Sequence, residues 1–378
     1  MIKKRVIVSV TNDLATDQRV SRLCRTLSSV GFEVILTGRI LRDSLPLTIT
    51  SYKTRRVRHW FNKKMFFYAE YNIRLFFYLL FTPFDILHSN DLDTLPANYL
   101  VSRIKRRPMV YDSHEYFTEV PGLAGRPAVK KIWEFIERKI LPDIKHIITV
   151  NDSIAGIYKT KYSRHIHVIR NLPEKITINT SPSPSRYGLP EDKKLIILQG
   201  RGINRDRGAE EAILAMQYIE NAVLVIAGDG DIVNELKELV RLEESGEKIC
   251  FIPPVPYKEL MQLTSICHCG LSLDKDTSLN YRYSLPNKLF DYIMAGIPVL
   301  ASSLPEVRNI VEHYGTGLIT TEVSPRHIAE KLKTILFDIP KDYWKEKLLK
   351  ASEELNWETE KHKLIDLYML TASYQVHK

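Results

Sequence analysis

Short runs of β-branched and aliphatic residues alternate with longer segments of helical pattern, and the alternation occurs twice. In the first half the runs are Arg5–Val10, Glu33–Thr37, Asp85–His88, Met109–Tyr111 and His146–Val150. Between residues 171 and 193 the character changes. Asn171-Leu-Pro, Ser181-Pro-Ser-Pro-Ser and Gly188-Leu-Pro crowd together without an apolar period, as in an interdomain linker. The alternation then restarts with Leu195–Leu198, Val223–Ala227, Ile249–Ile252, Gly270–Leu273 and Pro298–Ala301. Strands separated by helices are joined by crossovers, and crossovers produce parallel sheets covered on both faces. The pattern therefore predicts an α/β protein of two tandem, Rossmann-like, doubly wound domains, residues 1–170 and 194–356. Ligands of such sheets bind beyond the carboxyl ends of the strands, so two domains facing each other would enclose a cleft. At 378 residues the chain also exceeds the roughly 250–300 at which a single core stops growing.

Composition narrows the classes of function. Apolar residues make up 44% and charged residues 26%, as in a soluble globular protein. Four scattered cysteines do not form a disulfide framework and point to a reducing compartment. Cys267-His268-Cys269 lies in a row on an apolar strand, and three consecutive residues cannot close a tetrahedral metal site. The run Val6–Val10 after Lys3-Lys-Arg5 is too short for a signal sequence and reads as a first buried strand. No stretch of about twenty uncharged apolar residues suggests a membrane span. Residues 1–170 hold 29 Lys and Arg against 15 Asp and Glu, whereas the remainder holds 25 against 30. That excess suits an anionic partner, but it is spread over a whole half with no recognition motif, which excludes a nucleic-acid binder. Within the basic half, Trp60–Phe81 interleaves aromatics with Lys63, Lys64 and Arg74. Two readings stand: a helix lying on a membrane surface, or one packed on the first domain.

Three stretches carry candidate chemistry. In Ser284-Leu-Pro-Asn-Lys-Leu-Phe-Asp-Tyr-Ile-Met-Ala-Gly-Ile-Pro-Val-Leu300, Pro286 is suited to open a helix and Gly296 to end it. Asn287, Lys288 and Asp291 then share a face near its N-terminus, where a cation, an amide and a carboxylate can hold a phosphorylated, hydroxyl-bearing ligand. The alternative is a capped core helix with a surface ion pair. The loop Gly200-Arg-Gly-Ile-Asn-Arg-Asp-Arg-Gly208 follows a strand and precedes a helix. Gly200, Gly202 and Gly208 let backbone N–H groups approach phosphates, and Arg201, Arg205 and Arg207 supply guanidinium forks. Its spacing matches neither a Walker loop nor a dinucleotide fingerprint. In the first half, Asp112-Ser-His-Glu-Tyr-Phe117 follows a strand, so His114 stands at a carboxyl end beside two carboxylates. It is a tuned base, a donor to an oxyanion, or a satisfied loop histidine. Asp91-x-Asp93 also ends a strand, and an Asx turn or helix cap is a simpler reading there than a metal pair.

Together these motifs resemble glycosyltransferase family 4 (glycosyl transferases group 1), the retaining nucleotide-sugar transferases of the GT-B fold. The resembling stretches run from Thr11-Asn-Asp-Leu-Ala-Thr-Asp-Gln-Arg-Val20 to Trp357–Tyr368. Ser284–Leu300 is similar to the family's Pro-x-Lys-x-x-Glu-Tyr…Gly-x-Pro-Val signature, and Gly200-Arg201 with Arg207-Gly208 to its Gly-Arg…Lys-Gly loop. Tyr111–Phe117 resembles the histidine motif of bacterial surface-polysaccharide enzymes. The resemblance implies that Asp291 binds the nucleotide ribose, with Gly200, Gly202, Ser284 and Asn287 around the donor. Arg201 and Arg207, assisted by Lys288, neutralise the diphosphate leaving group without a metal. His114 contacts donor-sugar hydroxyls, and Asp17 and Glu115 lie on the acceptor side. Residues 357–378 form a helix crossing back to the acceptor-binding first domain. One departure stands out: eight positions before Asp291, where the family has a second acid, this chain has Tyr283.

The expected activity is transfer of a sugar from a nucleotide diphosphate sugar, a co-substrate rather than a cofactor, to a hydroxyl acceptor in capsule, O-antigen or exopolysaccharide assembly. The acceptor is a carbohydrate or a lipid-linked oligosaccharide. The location is cytoplasmic, with a peripheral place at an anionic inner membrane face suggested by Trp60–Phe81. Alternatives are a sugar-nucleotide epimerase on the same fold, or a catalytically silent nucleotide-sugar-binding or membrane-scaffold protein.

Overall fold

The apolar runs pair with one another in parallel. A computed structural model describes residues 3–15, 17–42, 44–47, 50–176 and 182–373. The chain forms two units, Met1–Asn171 with Glu360–Lys378, and Leu172–Thr359.

The first unit is built on β1 (Arg5–Asp13), β2 (Glu33–Arg39), β3 (Lys53–Val57), β4 (Ile86–Asn90), β5 (Met109–Ser113), β6 (His146–Thr149) and β7 (Ile166–Val168). The second is built on β8 (Lys194–Gly200), β9 (Ala222–Gly228), β10 (Ile249–Ile252), β11 (Cys269–Ser272), β12 (Val299–Ser302) and β13 (Gly317–Thr320). The spatial orders are β3-β2-β1-β4-β5-β6-β7 and β10-β9-β8-β11-β12-β13. All pairings are parallel, for example Val6 with Val34 and Ile86 in the first sheet, and Ile196 with Leu224 and Cys269 in the second. Each order reverses beside its first strand, between β1 and β4 and between β8 and β11. Such a reversal splays the flanking loops and opens a crevice at the strands' carboxyl ends.

Three strands were not expected from the sequence. β3, Lys53-Thr-Arg-Arg-Val57, is an edge strand without an apolar run, and none of its residues is buried. Charge on an edge discourages pairing with other chains and also erases the usual strand signature. β7 and β13 hold three and four residues and are too short to show a period. Conversely, β4 and β5 extend past their apolar runs into His88-Ser-Asn90 and Asp112-Ser113, polar residues that are fully buried. Buried polar groups need partners, and those partners build the site described below.

The stretch expected as a linker joins the second unit: Leu172 and Leu189 lie in that unit's core, and Trp357 N–H donates to the Pro173 carbonyl at 2.7 Å. Cys267 and Cys269 are also core residues, while Leu195 N–H donates to Nδ1 of the intervening His268. The final helix, Trp357–Ser373, is started by Asn356, whose side chain accepts from Thr359 N–H at 3.1 Å. Residues 177–181 of the linker stretch, 374–378 of the terminal helix and Thr16 of the first motif lie outside the described residues.

The aromatic segment forms a helix with one buried and one exposed apolar face. In the helix Lys64–Phe81, Phe67, Tyr71, Leu75 and Leu79 recur every fourth residue and are buried. Met65, Phe66, Ile73, Phe77 and Phe81 are exposed, as is Trp60 just ahead of the helix. Among the described residues, no helix is long and apolar enough to cross a membrane.

Candidate active site

In the first unit the polar residues ending β4 and β5 converge on one imidazole. Asp112, fully buried, receives the guanidinium of Arg19: Nη2 lies 2.8 Å from Oδ1 and 3.0 Å from Oδ2, and Nε lies 3.3 Å from Oδ2. Arg19 comes from the helix Gln18–Ser29 and is itself buried. His114 places Nε2 3.3 Å from Asp112 Oδ2 and 3.1 Å from Asn90 Oδ1. Its Nδ1 lies 3.3 Å from Asp91 Oδ2, and its backbone N–H donates to Asp91 Oδ1 at 3.0 Å. Asp91 is thus neither an Asx turn nor a helix cap. It holds a left-handed backbone, φ +56°, a conformation costing a non-glycine residue about 1–3 kcal/mol. Both carboxylate oxygens are engaged by His114, which keeps it there.

The electrostatics follow from this geometry. Burial alone would depress His114, but the carboxylates of Asp91 and Asp112 outweigh it and raise the imidazole to about 9. Burial would raise Asp112, yet Arg19 and His114 hold it far below the carboxylate range. Asp93 is pushed up to about 7, first by burial and then by neighbouring Asp91, while Thr11 Oγ1 donates to it at 2.6 Å. Of the sequence-selected acceptor-side residues, Asp17 caps the helix Gln18–Ser29 by accepting from Val20 N–H at 3.1 Å. Glu115 is exposed, and its carbonyl accepts from Ser113 Oγ. The second carboxylate on His114 therefore comes from Asp91, not from the adjacent Glu115.

In the second unit the helix Asn287–Met294 begins one residue after Pro286, which occupies the extended cap position. It closes as the sequence suggests. Gly296 is left-handed at φ +74°, its N–H donates to the Ile293 carbonyl, and Ile297 N–H donates to the Tyr292 carbonyl. Leu289, Phe290, Tyr292 and Ile293 are buried and fix the helix's rotation. Asp291 accepts from Tyr257 O–H at 2.7 Å and from Gln199 Nε2 at 3.2 Å, and Gln199 in turn accepts from Thr264 Oγ1 at 2.6 Å. Lys288 Nζ lies 3.5 Å from Asp274 Oδ1, and Arg207 Nε lies 4.0 Å from the same oxygen. Asp274, almost wholly buried just after β11, thus gathers both cations. Burial lowers the Lys288 ammonium and Asp274 opposes that shift. Arg207 also lies over the Tyr281 ring, 5.3 Å from its centroid.

The glycine loop is held by a second one. Ile203 N–H donates to Asp229 O and Asp229 N–H to Gly200 O, at 3.1 and 3.0 Å. Gly228, Gly208 and Gly230 are sterically required, a Cβ on Gly230 falling 2.2 Å from the Ile203 carbonyl oxygen. A Cβ on Gly228, φ +132°, would fall 1.9 Å from the Gly200 carbonyl oxygen, and one on Gly208, φ +74°, would fall 2.4 Å from Leu273 Cβ. Arg201 is exposed, Arg205 pairs with Glu235 at 2.6 Å, Gly202 is half-buried and Asn287 is exposed. Ser284 has its hydroxyl oxygen enclosed without a hydrogen-bond partner. Tyr283 ends the short helix Leu279–Arg282. Among the described residues, no group of three or more His, Cys, Asp or Glu side chains is placed to hold a metal.

Two tandem Rossmann-like units, each with polar groups gathered at its switch point, define the GT-B glycosyltransferase architecture. The family described as Glycosyltransferase Family 4 matches residues 17–172, and that described as Glycosyl transferases group 1 matches residues 181–348. The chain belongs to these glycosyltransferases. It is 26% identical over 270 residues to an uncharacterized glycosyltransferase of Methanocaldococcus jannaschii, covering 68% of this chain and 67% of that protein. Among solved structures, a sucrose-phosphate synthase of Thermosynechococcus elongatus superposes with a TM-score of 0.80 at 18% identity, over 98% of this chain and 100% of that one. The HepE protein of Anabaena, crystallised with UDP-glucose, gives 0.75 at 14%, over 97% and 99%.

His114 gives a pH-dependent stability. An imidazole raised above its unfolded value contributes fully below about pH 6.5 and loses that contribution as pH rises through about 9. The unfolding free energy of the wild type relative to His114→Gln should therefore fall by on the order of 3 kcal/mol between pH 6 and pH 10. A difference independent of pH in urea titrations would contradict the paired imidazolium.

Proposed function

We propose that this glycosyltransferase moves a sugar from a nucleotide diphosphate sugar to a hydroxyl acceptor with retention at the anomeric carbon, and that it serves surface-polysaccharide assembly. The observation that carries the reading is the buried Asp274 carboxylate, which gathers Lys288 and Arg207. A diphosphate leaving group gains negative charge as the glycosidic bond breaks, and fixed cations stabilise that charge without reorganising. In this reading Arg207, Lys288 and the exposed Arg201 do what a metal does in other transferases. Asp291, its carboxylate oriented by Tyr257 and Gln199, takes the ribose hydroxyls. Gly200, Gly202, Ser284 and Asn287 line the donor. The UDP-glucose complex of the structurally similar HepE protein supports a donor of this class.

His114 acts as a donor and a charge, not as a nucleophile or base. With both ring nitrogens protonated between carboxylates it has no lone pair to attack carbon or abstract a proton. In this reading it contacts the donor-sugar hydroxyls, while Asp17 and Glu115 lie on the side that receives the acceptor. Arg207→Ala should lower kcat by about 10²–10³-fold with a matched donor and acceptor. Unchanged turnover would remove the leaving-group role, and donor consumption without an acceptor would indicate an epimerase instead.

We further propose that the first unit rests on the anionic cytoplasmic face of a membrane, where a lipid-linked acceptor is presented. Trp60, Phe66, Phe77 and Phe81 are exposed beside the exposed Lys63 and Arg74, an apolar face that the unit's own core does not use. Vesicles containing anionic lipid should float the protein, and Phe66→Ser with Phe77→Ser should reduce the floated fraction severalfold. Equal recovery with neutral and anionic vesicles would dismiss the membrane surface.

A further inference from the structure

We propose that Tyr368 and His88 are positioning residues for His114, linked to it by a buried hydrogen-bonded chain that fixes its partners. This rests on the reading above only in giving His114 a part in transfer; the chain itself is a matter of geometry. Tyr368 lies in the helix Trp357–Ser373, and its hydroxyl is 2.6 Å from His88 Nδ1. His88 Nε2 is 3.2 Å from Asn90 Oδ1, the atom that also lies 3.1 Å from His114 Nε2. Tyr368, His88 and Asn90 are completely buried, so each polar atom needs its partner within the protein.

That requirement settles the tautomer. The groups facing His88 Nε2 are Asn90 Oδ1 and, at 3.8 Å, Asp112 Oδ2, both acceptors. The amide orientation of Asn90 is fixed in turn, because its Nδ2 donates to the Ser9 carbonyl at 2.9 Å. Nε2 of His88 therefore carries the proton, and Nδ1 accepts from the Tyr368 hydroxyl. Burial keeps this ring neutral, holding it near 4 against the opposing pull of Asp112. Asn90 Oδ1 then accepts from both imidazoles, so its position is set from the Tyr368 side and felt at His114. The charged and titratable groups facing His114 are Asp91, Asp93, Asp112, Arg19 and the neutral His88, and of these His88 is the one hydrogen-bonded to Tyr368.

Without the Tyr368 hydroxyl, His88 Nδ1 is a buried acceptor lacking a donor. A proton moved to Nδ1 would find no acceptor there, so the ring is no longer held at that end and turns or shifts, drawing Nε2–H away from Asn90 Oδ1. The amide, no longer fixed by two donors, moves in turn and displaces the acceptor it offers His114. Tyr368→Phe retains the ring that packs edge-on against Phe32 at 5.9 Å and stacks on His88 at 6.1 Å, so the helix keeps its seat.

The test is a ¹⁵N NMR titration of the histidine side chains in the full-length protein without substrate, paired with transfer kinetics. The wild type should show His88 as the neutral Nε2–H tautomer throughout pH 6–9; the opposite tautomer would overturn the chain without any variant being made. Tyr368→Phe and His88→Leu should shift the His114 titration by about half a unit or more. His88→Gln, whose amide N–H can replace Nε2–H toward Asn90, should restore it. Transfer should fall roughly tenfold in kcat for Tyr368→Phe with donor KM unchanged. A folded Tyr368→Phe protein with an unaltered His114 titration would overturn the proposal, whatever its activity. A shifted titration with unaltered transfer would uphold the chain and remove His114 from the reaction.

Discussion

Each sheet ends in a buried carboxylate that cannot remain unpaired, and cations gather around it. Asp112 at the end of β5 holds Arg19 and His114. Asp274 just beyond β11 holds Lys288 and draws in Arg207. Moving a carboxylate out of water costs several kcal/mol, and removing one member of such a pair costs about 3–5 kcal/mol because the survivor is left uncompensated. Neither arrangement is therefore an economical way to stabilise a sheet. What both provide is a fixed positive charge at a strand's carboxyl end beside the switch point, where a doubly wound sheet opens to a ligand.

The two units use that charge differently. In the first, the pairing is nearly closed: Asp112 is saturated by Arg19 and His114, and His114 by Asp91, Asp112 and Asn90. The result is a rigid imidazolium whose protonation state is set by its surroundings. In the second, Lys288 and Arg207 share one carboxylate oxygen at 3.5 and 4.0 Å, longer than close ion pairs, and the exposed Arg201 lies on the neighbouring loop. Two cations over one anion leave net positive charge, as a diphosphate site requires.

Much of this was legible in the sequence. The doubling of the α/β pattern, the helix closed by Gly296, and the positions of Lys288 in a helix's first turn, Arg207 in the loop before a helix and His114 at a strand's end all follow from local spacing. What was not legible lies either at sheet edges or across long separations. The edge strand β3 carries Lys53, Arg55 and Arg56 in place of an apolar run, and β7 and β13 are too short to show a period. Arg19 reaches Asp112 from 93 residues away and Tyr368 reaches His88 from 280, so no motif contains either pair. Asp274 did leave a signal, an acid immediately beyond an apolar strand, as Asp112 ends another. Asp91 was misleading because its neighbours suggested a cap, whereas its left-handed backbone turns the carboxylate to His114. Tyr283 stands in the place of the family's second acid, so in the proposed reading the sugar end of the donor has no counterpart there to Asp291.

The central claim is that the second unit is a nucleoside diphosphate site, and a thermal-shift panel of UDP-, GDP-, TDP- and CMP-sugars tests it most directly. A ligand that binds only the folded state stabilises it by about 2.7 kcal/mol at a hundred times its dissociation constant. At least one diphosphate donor should raise the melting temperature, the monophosphate CMP-sugars should not, and Asp291→Ala should lose most of the shift. No response to any diphosphate donor, or an undiminished response in Asp291→Ala, would contradict it.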